Sequence, residues 1–195
     1  MNPLLLAIPT EFNSDRLHLR RYQPEDSAAY CQMVQANRDH LREFVPPTMA
    51  AVQTEADAAE LLRQLAGEWQ SGNLFIFGVW EKDGGSYVGE AYLANPDWHV
   101  PCIELGYFLV KDQTGRGYAT EAAQAAIRFA FEQLKVVRVE LQCAADNHTS
   151  QRVAERCGFT WEGRQRQRQA RKDGTLVDRL WYGLLLAEWQ AVHGW

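Results

Sequence analysis

The stretch Ile103–Ala123, I-E-L-G-Y-F-L-V-K-D-Q-T-G-R-G-Y-A-T-E-A-A, combines residue types and spacings that can do chemistry. An apolar run carrying one carboxylate, Glu104, gives way to a polar turn with Gly115 and Gly117, and a helical pattern follows at once. A turn of this kind makes an anion cradle. The strand delivers the backbone, the glycines let it turn tightly, and the helix start points free N–H groups at the anion. The usual anion is a phosphate or pyrophosphate, so the turn points to a phosphate-bearing cofactor. A Walker P-loop needs G-x-x-x-x-G-K-[ST], which is absent. A dinucleotide fingerprint is matched in part, with Thr120 at the third glycine position and Glu140 about 20 residues on. Against it, an antiparallel pattern precedes the turn and no second parallel half follows. The third reading is a plain strand-to-helix turn whose glycines serve geometry alone.

The elements that must position these residues are also patterned. Arg16–Tyr22 alternates as a strand, and Pro24 opens a helix with Glu25 and Asp26 in its first turn. A short helix over Arg38–Val45 is stopped by Pro46-Pro47. Thr54 caps a helix to Trp69, with Asp57 three residues on and Ala58, Leu61, Leu62, Leu65 and Trp69 on one face. Strands Leu74–Glu81 and Ser86–Ala94, joined by K-D-G-G, read as a hairpin. A loop over Asn95–Pro101 leads to the strand Cys102–Val110. The helix from about Gly115 to Leu134 places Ala119, Ala122, Ala123, Ala126, Ile127, Ala130, Phe131 and Leu134 together, which suits close packing on a sheet. Strand Val136–Ala144, helix Thr149–Arg156, strand Phe159–Ala170, a K-D-G-T turn and strand Leu176–Leu185 complete the chain. This order predicts an α/β fold with a mixed sheet, in which the crossover strands are parallel neighbours.

At 195 residues and 46% hydrophobic the chain reads as one domain, 1–195. Its net charge of −5 gives no case for nucleic acid or an anionic membrane as partner. The Leu4–Ile8 run is too short for a signal segment, and no apolar stretch approaches a membrane span. Cys31, Cys102, Cys143 and Cys157 form no C-x-x-C pair and read as reduced thiols of a cytoplasmic protein, with no metal site.

A second motif decides among the cofactor readings. Asn147-His148-Thr149-Ser150 follows the Val136–Ala144 strand, and V-A-E-R-C-G-F follows from Val153. With E-L-G-Y-F-L, G-R-G-Y-A-T-E-A, F-A-F-E and the E-G-x-x-R of Glu162 to Arg166, these resemble the GNAT superfamily of acyl-CoA N-acetyltransferases. The likeness is to the RimJ/RimL branch, which acetylates protein N-termini and related amines, and R-L-H-L-R-R-Y followed by Pro-Glu-Asp is similar to how these proteins begin. It spans nearly the whole chain. It implies the GNAT acyl-CoA N-acyltransferase fold: a mostly antiparallel sheet with a central parallel pair splayed between strands ending near Val110 and Ala144.

The resemblance also implies roles. Backbone N–H groups of Thr114, Gly115, Arg116, Gly117, Tyr118, Ala119 and Thr120 would hold the pyrophosphate of acetyl-CoA. Phe108, Leu109 and Val110 would pair through backbone with the pantetheine arm, and Asn147 would contact it. The Arg116 side chain either meets a phosphate or is solvated. Thr114 departs from the Gln or Arg usual three residues before the glycine of the G-x-[GA] step. Ala154 stands where many relatives carry a tyrosine that protonates the leaving thiolate, and Ser150 matches the serine that RimL-like members use instead. Glu104 is the candidate base, its pKa raised by desolvation in an apolar strand. Glu121 reads as structural, and His99 as a solvated loop residue. Arg164, Arg166 and Arg168 share one strand face, which attracts an acidic acceptor or the 3′-phosphate, or is a solvated edge. The substrate groove would come from Arg38 to Val52, the Trp98 loop and the final hairpin.

The implied activity is direct transfer of acetyl from acetyl-CoA to a primary amine, above all a protein N-terminal α-amine such as that of a ribosomal protein, with no covalent enzyme intermediate. The alternatives are a small-molecule amine acetyltransferase acting on an antibiotic, polyamine or toxin, and an acyl-CoA-binding sensor without catalysis. The resemblance allows a monomer or a homodimer, with the aromatic segment Trp189–Trp195 packing on its own domain or on a neighbour.

Overall fold

The period-two runs become β1 (Glu11–Asn13), β2 (Leu17–Arg20), β3 (Leu74–Glu81), β4 (Tyr87–Asp97), β5 (Cys102–Leu109), β6 (Arg138–Ala144), β7 (Thr160–Ala170) and β8 (Leu176–Leu185). The computed structural model describes residues 7–41 and 47–194. Its α-helices are α1 (Ser27–Ala36), α2 (Arg38–Leu41), α3 (Pro47–Ala50), α4 (Glu55–Gln70), α5 (Tyr118–Glu132), α6 (His148–Arg156) and α7 (Leu186–His193). The strands form one eight-stranded sheet in the order β1-β2-β3-β4-β5-β6-β8-β7. Its β5–β6 pair is parallel, as the crossover requires, and the other neighbours are antiparallel.

The parallel pair is short. Its ladder runs from Cys102 opposite Arg138 to Leu105 opposite Leu141. Beyond that point β5 stays with β4 as far as Gly89 opposite Leu109, while β6 stays with β8 as far as Ala144 opposite Arg179. The sheet therefore opens between the ends of β5 and β6, leaving backbone without a strand partner at its centre.

Two cores hold the sheet in this shape. On one face Leu19, Phe75, Phe77, Ile103, Leu105 and Leu141 meet α5, whose Ala122, Ala123, Ala126, Ile127 and Ala130 are completely buried. Small side chains bring that helix close to the strands. On the other face α1 and α4 bury Tyr30, Val34, Ala58, Leu61 and Leu62 against Tyr22 and Phe108. The N-terminus of α4 is fixed as its sequence requires: Thr54 Oγ1 accepts the Asp57 N–H at 3.2 Å, and Asp57 Oδ2 accepts the Thr54 N–H at 2.8 Å.

Several boundaries differ from the sequence reading. Pro24–Asp26 form a 3-10 turn ahead of α1. β4 continues through the expected loop to Asp97, because a bulge after Ala94 absorbs Asn95 in a left-handed conformation at φ 51°. The β7 strand that carries Arg164, Arg166 and Arg168 is irregular, and all three arginines are exposed. Gln167 lies at φ 52° in a break of the β7–β8 register, and Arg164 is drawn to Asp178 at 2.5 Å. β1 and α7 were not foreseen, and Trp189 of α7 is buried beside Phe131 of its own chain. The stop at Pro46 and the end of the helix expected to Val45 lie outside the described residues, as do Leu4–Leu6 and Trp195. Among the described residues no helix is long and apolar enough to cross a membrane.

Candidate active site

The glycine turn is built as an anion cradle. Gly115 and Gly117 take φ of 78° and 82°, a region that L side chains rarely adopt, and Gly117 is the N-cap of α5. Among the described residues no side chain caps this helix, and the N–H groups of Tyr118, Ala119 and Thr120 have no partner within it and sit at the positive end of its dipole. The turn is held from outside. Glu121 accepts the Ser14 hydroxyl at 2.7 Å, the Arg16 N–H at 2.7 Å and Arg16 Nε at 2.6 Å. Arg16 also donates to the Arg116 carbonyl at 3.2 Å. Burial works to raise the Glu121 pKa, but these donors outweigh it and hold the carboxyl below its ordinary value. Glu121 is thus a tether, the structural part its sequence position suggested. The Arg116 guanidinium lies 3.5 Å from Glu81, which also accepts the Tyr118 hydroxyl at 2.6 Å. The Thr114 hydroxyl is spent on the Lys111 carbonyl at 2.9 Å.

A cavity of about 520 Å³ runs along this turn, lined by Leu109, Thr114, Gly115, Gly117, Thr120 and Ser150 among others. His40 reaches over it from α2 to the Leu109 carbonyl, at 3.1 Å. Phe108 is core, and through its backbone it pairs with Glu90 on the β4 side.

Where the sheet opens, Asn147 caps α6 by accepting the Ser150 N–H at 3.1 Å. That cap directs the first turn of α6 toward β5, and Ser150 Oγ lies 3.1 Å from the Tyr107 hydroxyl. Burial raises the Tyr107 pKa well above its ordinary range, so the phenol stays protonated. Ala154, at the position of the missing tyrosine, is completely buried.

Ser150, Tyr107, Asn147, Thr149 and Arg152 also line a second cavity, of about 660 Å³, whose other walls include Tyr92, Glu104, Gly106, Gln142, Gln169, Arg171 and Arg179. Glu104 is not in the dry setting its apolar run suggested. It is half-buried, and its Oε2 accepts Asn95 Nδ2 at 3.0 Å and Gln142 Nε2 at 3.2 Å. Both donors come to one oxygen, and among the described residues none comes to Oε1. Tyr92 lies across Gly106: a Cβ there would come within 2.1 Å of its ring. Burial pushes the Tyr92 phenol up to about 12, with the Glu104 charge adding to the rise. Gly106→Ala is expected to displace this ring and destabilise the protein by about 2 kcal/mol. A urea titration checks this, an unchanged midpoint being the contrary result.

Sequence reasoning missed Tyr92, Asn95, Tyr107 and Arg179. Tyr92 faces Gly106 only through the β4–β5 pairing, which no local turn signal announced. His99 is not among the lining residues and donates its N–H to Asp97 at 2.8 Å. Among the described residues no group of three or more His, Cys, Asp or Glu side chains could hold a metal.

An opened parallel pair, flanked by an uncapped helix start on one side and a carboxylate-bearing cavity on the other, is the framework of a group transferase with a phosphate-bearing donor. Residues 16–160 match the family model for the acetyltransferase (GNAT) domain, and the chain belongs to that family. It is an acetyltransferase. It is 29% identical over 188 residues to the putative ribosomal N-acetyltransferase YdaF of Bacillus subtilis, covering 91% of this chain and 95% of that protein. It is 27% identical over 122 residues to the ribosomal-protein-serine acetyltransferase of Escherichia coli, covering 63% and 67%. Among solved structures, RimL, a ribosomal α-N-protein acetyltransferase in complex with coenzyme A, superposes with a TM-score of 0.82 at 21% identity, covering 93% of this chain and 98% of that one.

Proposed function

We propose that this chain moves an acetyl group from acetyl-CoA to the α-amine of a protein N-terminus, and that the two substrates meet at Ser150. The observation that carries the reading is that the cradle cavity and the Glu104 cavity share Ser150 and Tyr107 where β5 and β6 part. The residues present fit the donor. Amides from Gly115 to Thr120 offer an anion site at a helix start, the expected Thr114 N–H being given instead to the Lys111 carbonyl at 3.3 Å, and the free edge of β5 offers backbone to an extended arm. Acetyl-CoA supplies the thioester. The chain orients it, takes a proton from the amine at Glu104 Oε1, and returns one to the departing sulfur from Ser150 Oγ, backed by the Tyr107 hydroxyl. One N–C bond forms as one C–S bond breaks, with no acyl group resting on the protein. The names of the relatives support a ribosomal-protein acceptor, which would place the work in the cytoplasm.

The test is mass spectrometry of short peptides incubated with enzyme and acetyl-CoA. Acetylation at the free α-amine, and none of a peptide blocked there, is the expected result. Turnover of small amines alone would reject the N-terminal reading, and binding of acetyl-CoA without turnover of any amine would favour a sensor. Glu104→Gln is expected to lower kcat about tenfold at unchanged acetyl-CoA affinity, an ordered water keeping part of the base role. Unaltered kcat would remove Glu104 from the mechanism.

A further inference from the structure

We infer that the preferred acceptor is a peptide N-terminus with an acidic side chain within about two residues of its amine, and that Arg179 holds that carboxylate. This names the substrate class of the site just described and rests on that reading of it.

The chain as a whole is acidic, at −5, yet the Glu104 cavity is lined by Arg152, Arg171 and Arg179. Of its two carboxylates, Asp146 pairs with Arg171, and Glu104 accepts from Asn95 and Gln142 at Oε2 and forms no ion pair among the described residues. Among the described residues Arg179 forms no ion pair. It is half-buried, and its Nε is shielded from solvent with no hydrogen-bond partner. Gln169 on the neighbouring strand has its Oε1 in the same state, in the same cavity. That Nε is closed to a guest as it is to solvent, so a guest meets the part of this half-buried, unpaired side chain that lines the cavity. The guanidinium fork fits a carboxylate above other acceptors.

Position adds direction. Arg179 stands opposite Ala144, at the open end of β6, while Glu104 is on β5 just before the strands part. Both charges act on the Tyr92 hydroxyl, in opposite senses, so carboxylate and guanidinium lie on the surroundings of one ring. An extended peptide that brings its amine to Glu104 passes Tyr92 and presents its next side chains to Arg179. An acidic one completes the cavity; a lysine meets a like charge.

The experiment uses paired acceptors with the full-length enzyme and acetyl-CoA: peptides with Asp or Glu at the second or third residue, the same peptides with Asn or Gln, and free amino acids with their amides. The acidic peptides are expected to show a kcat/KM about tenfold above their amide partners, carried by KM, a ratio equivalent to about 1.4 kcal/mol. Arg179→Gln is expected to bring the ratio to about one, Arg179→Lys to keep part of it, and Arg179→Glu to favour a lysine peptide. Equal rates on acid and amide in the wild type overturn the inference, and so does an Arg179→Gln variant that keeps the preference or loses both acceptors alike. Turnover confined to free amino acids would reject the N-terminal reading while the ratio of acid to amide still decides the role of Arg179. No turnover in either set overturns both.

Discussion

Replacing Ser150 by alanine is expected to reduce kcat about a hundredfold, the lower part of the range for a lost general acid, with acetyl-CoA affinity within about twofold of wild type. The separation follows from how Ser150 is used. Its backbone N–H, which alanine keeps, is the group that Asn147 accepts, so the start of α6 survives the change. Its hydroxyl alone faces Tyr107 at 3.1 Å. Burial keeps the Tyr107 proton in place, so the phenol is able to donate to Ser150 Oγ, and in that arrangement the serine proton is the one given to the departing thiolate. Tyr107→Phe removes that support but not the serine, and is expected to cost about tenfold in kcat. Thiol release followed at saturating acetyl-CoA, with affinity from calorimetry, checks both. Unchanged kcat in Ser150→Ala would assign the proton to another donor, and loss of kcat and affinity together would make Ser150 a structural residue.

The parts of this fold legible in the sequence are those fixed by local pattern. The α4 start follows from Thr54 and Asp57, the bounds of β3 and β8 from period-two runs between turn residues, and the cradle from Gly115 and Gly117 before an alanine-rich helix. What was not legible depends on partners distant in the chain. Tyr107 carries no signal of its own in an apolar strand, and only the parting of β5 and β6 after Leu105 and Leu141 brings its hydroxyl to Ser150. Glu104 reads as dry from its neighbours in sequence, but Asn95 comes to it across a bulge and Gln142 from the parallel strand. Arg179 belongs to a polar hairpin and gains meaning only beside the end of β6. α7 begins straight from β8 with no glycine or proline between: the Leu185 N–H that ends the strand is accepted by Glu188 at 2.8 Å, and a continuous apolar run hides the change of period.

Stability between pH 5 and 8 is expected to be governed by a carboxyl group outside both cavities, and Glu90→Gln is expected to stabilise the protein by roughly 3 kcal/mol at pH 7. Glu90 is 5% exposed on β4. It accepts the Tyr22 hydroxyl at 3.1 Å, and Tyr22 in turn lies 2.7 Å from the Tyr87 hydroxyl, but among the described residues no cation pairs with it. Burial pushes its pKa up to about 8 from 4.5, with the Tyr22 bond opposing the rise. In this range the folded chain holds a proton that the unfolded chain has released, so folding takes one up. Stability therefore declines by about 1.4 kcal/mol per pH unit from near 4.5, and the loss is complete above about 8. Glutamine keeps the shape, never ionises, and lets the neighbouring hydroxyls accept from its amide. The variant should show a flat urea midpoint across this range where the wild type falls, the two meeting again near pH 4. Carboxyls held below their ordinary values, such as Asp26 and Asp178, act only in more acidic solution and do not mask the effect. A wild-type midpoint independent of pH from 5 to 8 would mean that Glu90 folds as a carboxylate. Because the backbone of Glu90 pairs with Phe108, the strand end that the pantetheine arm would line, that ionisation would bear on the donor side of the site.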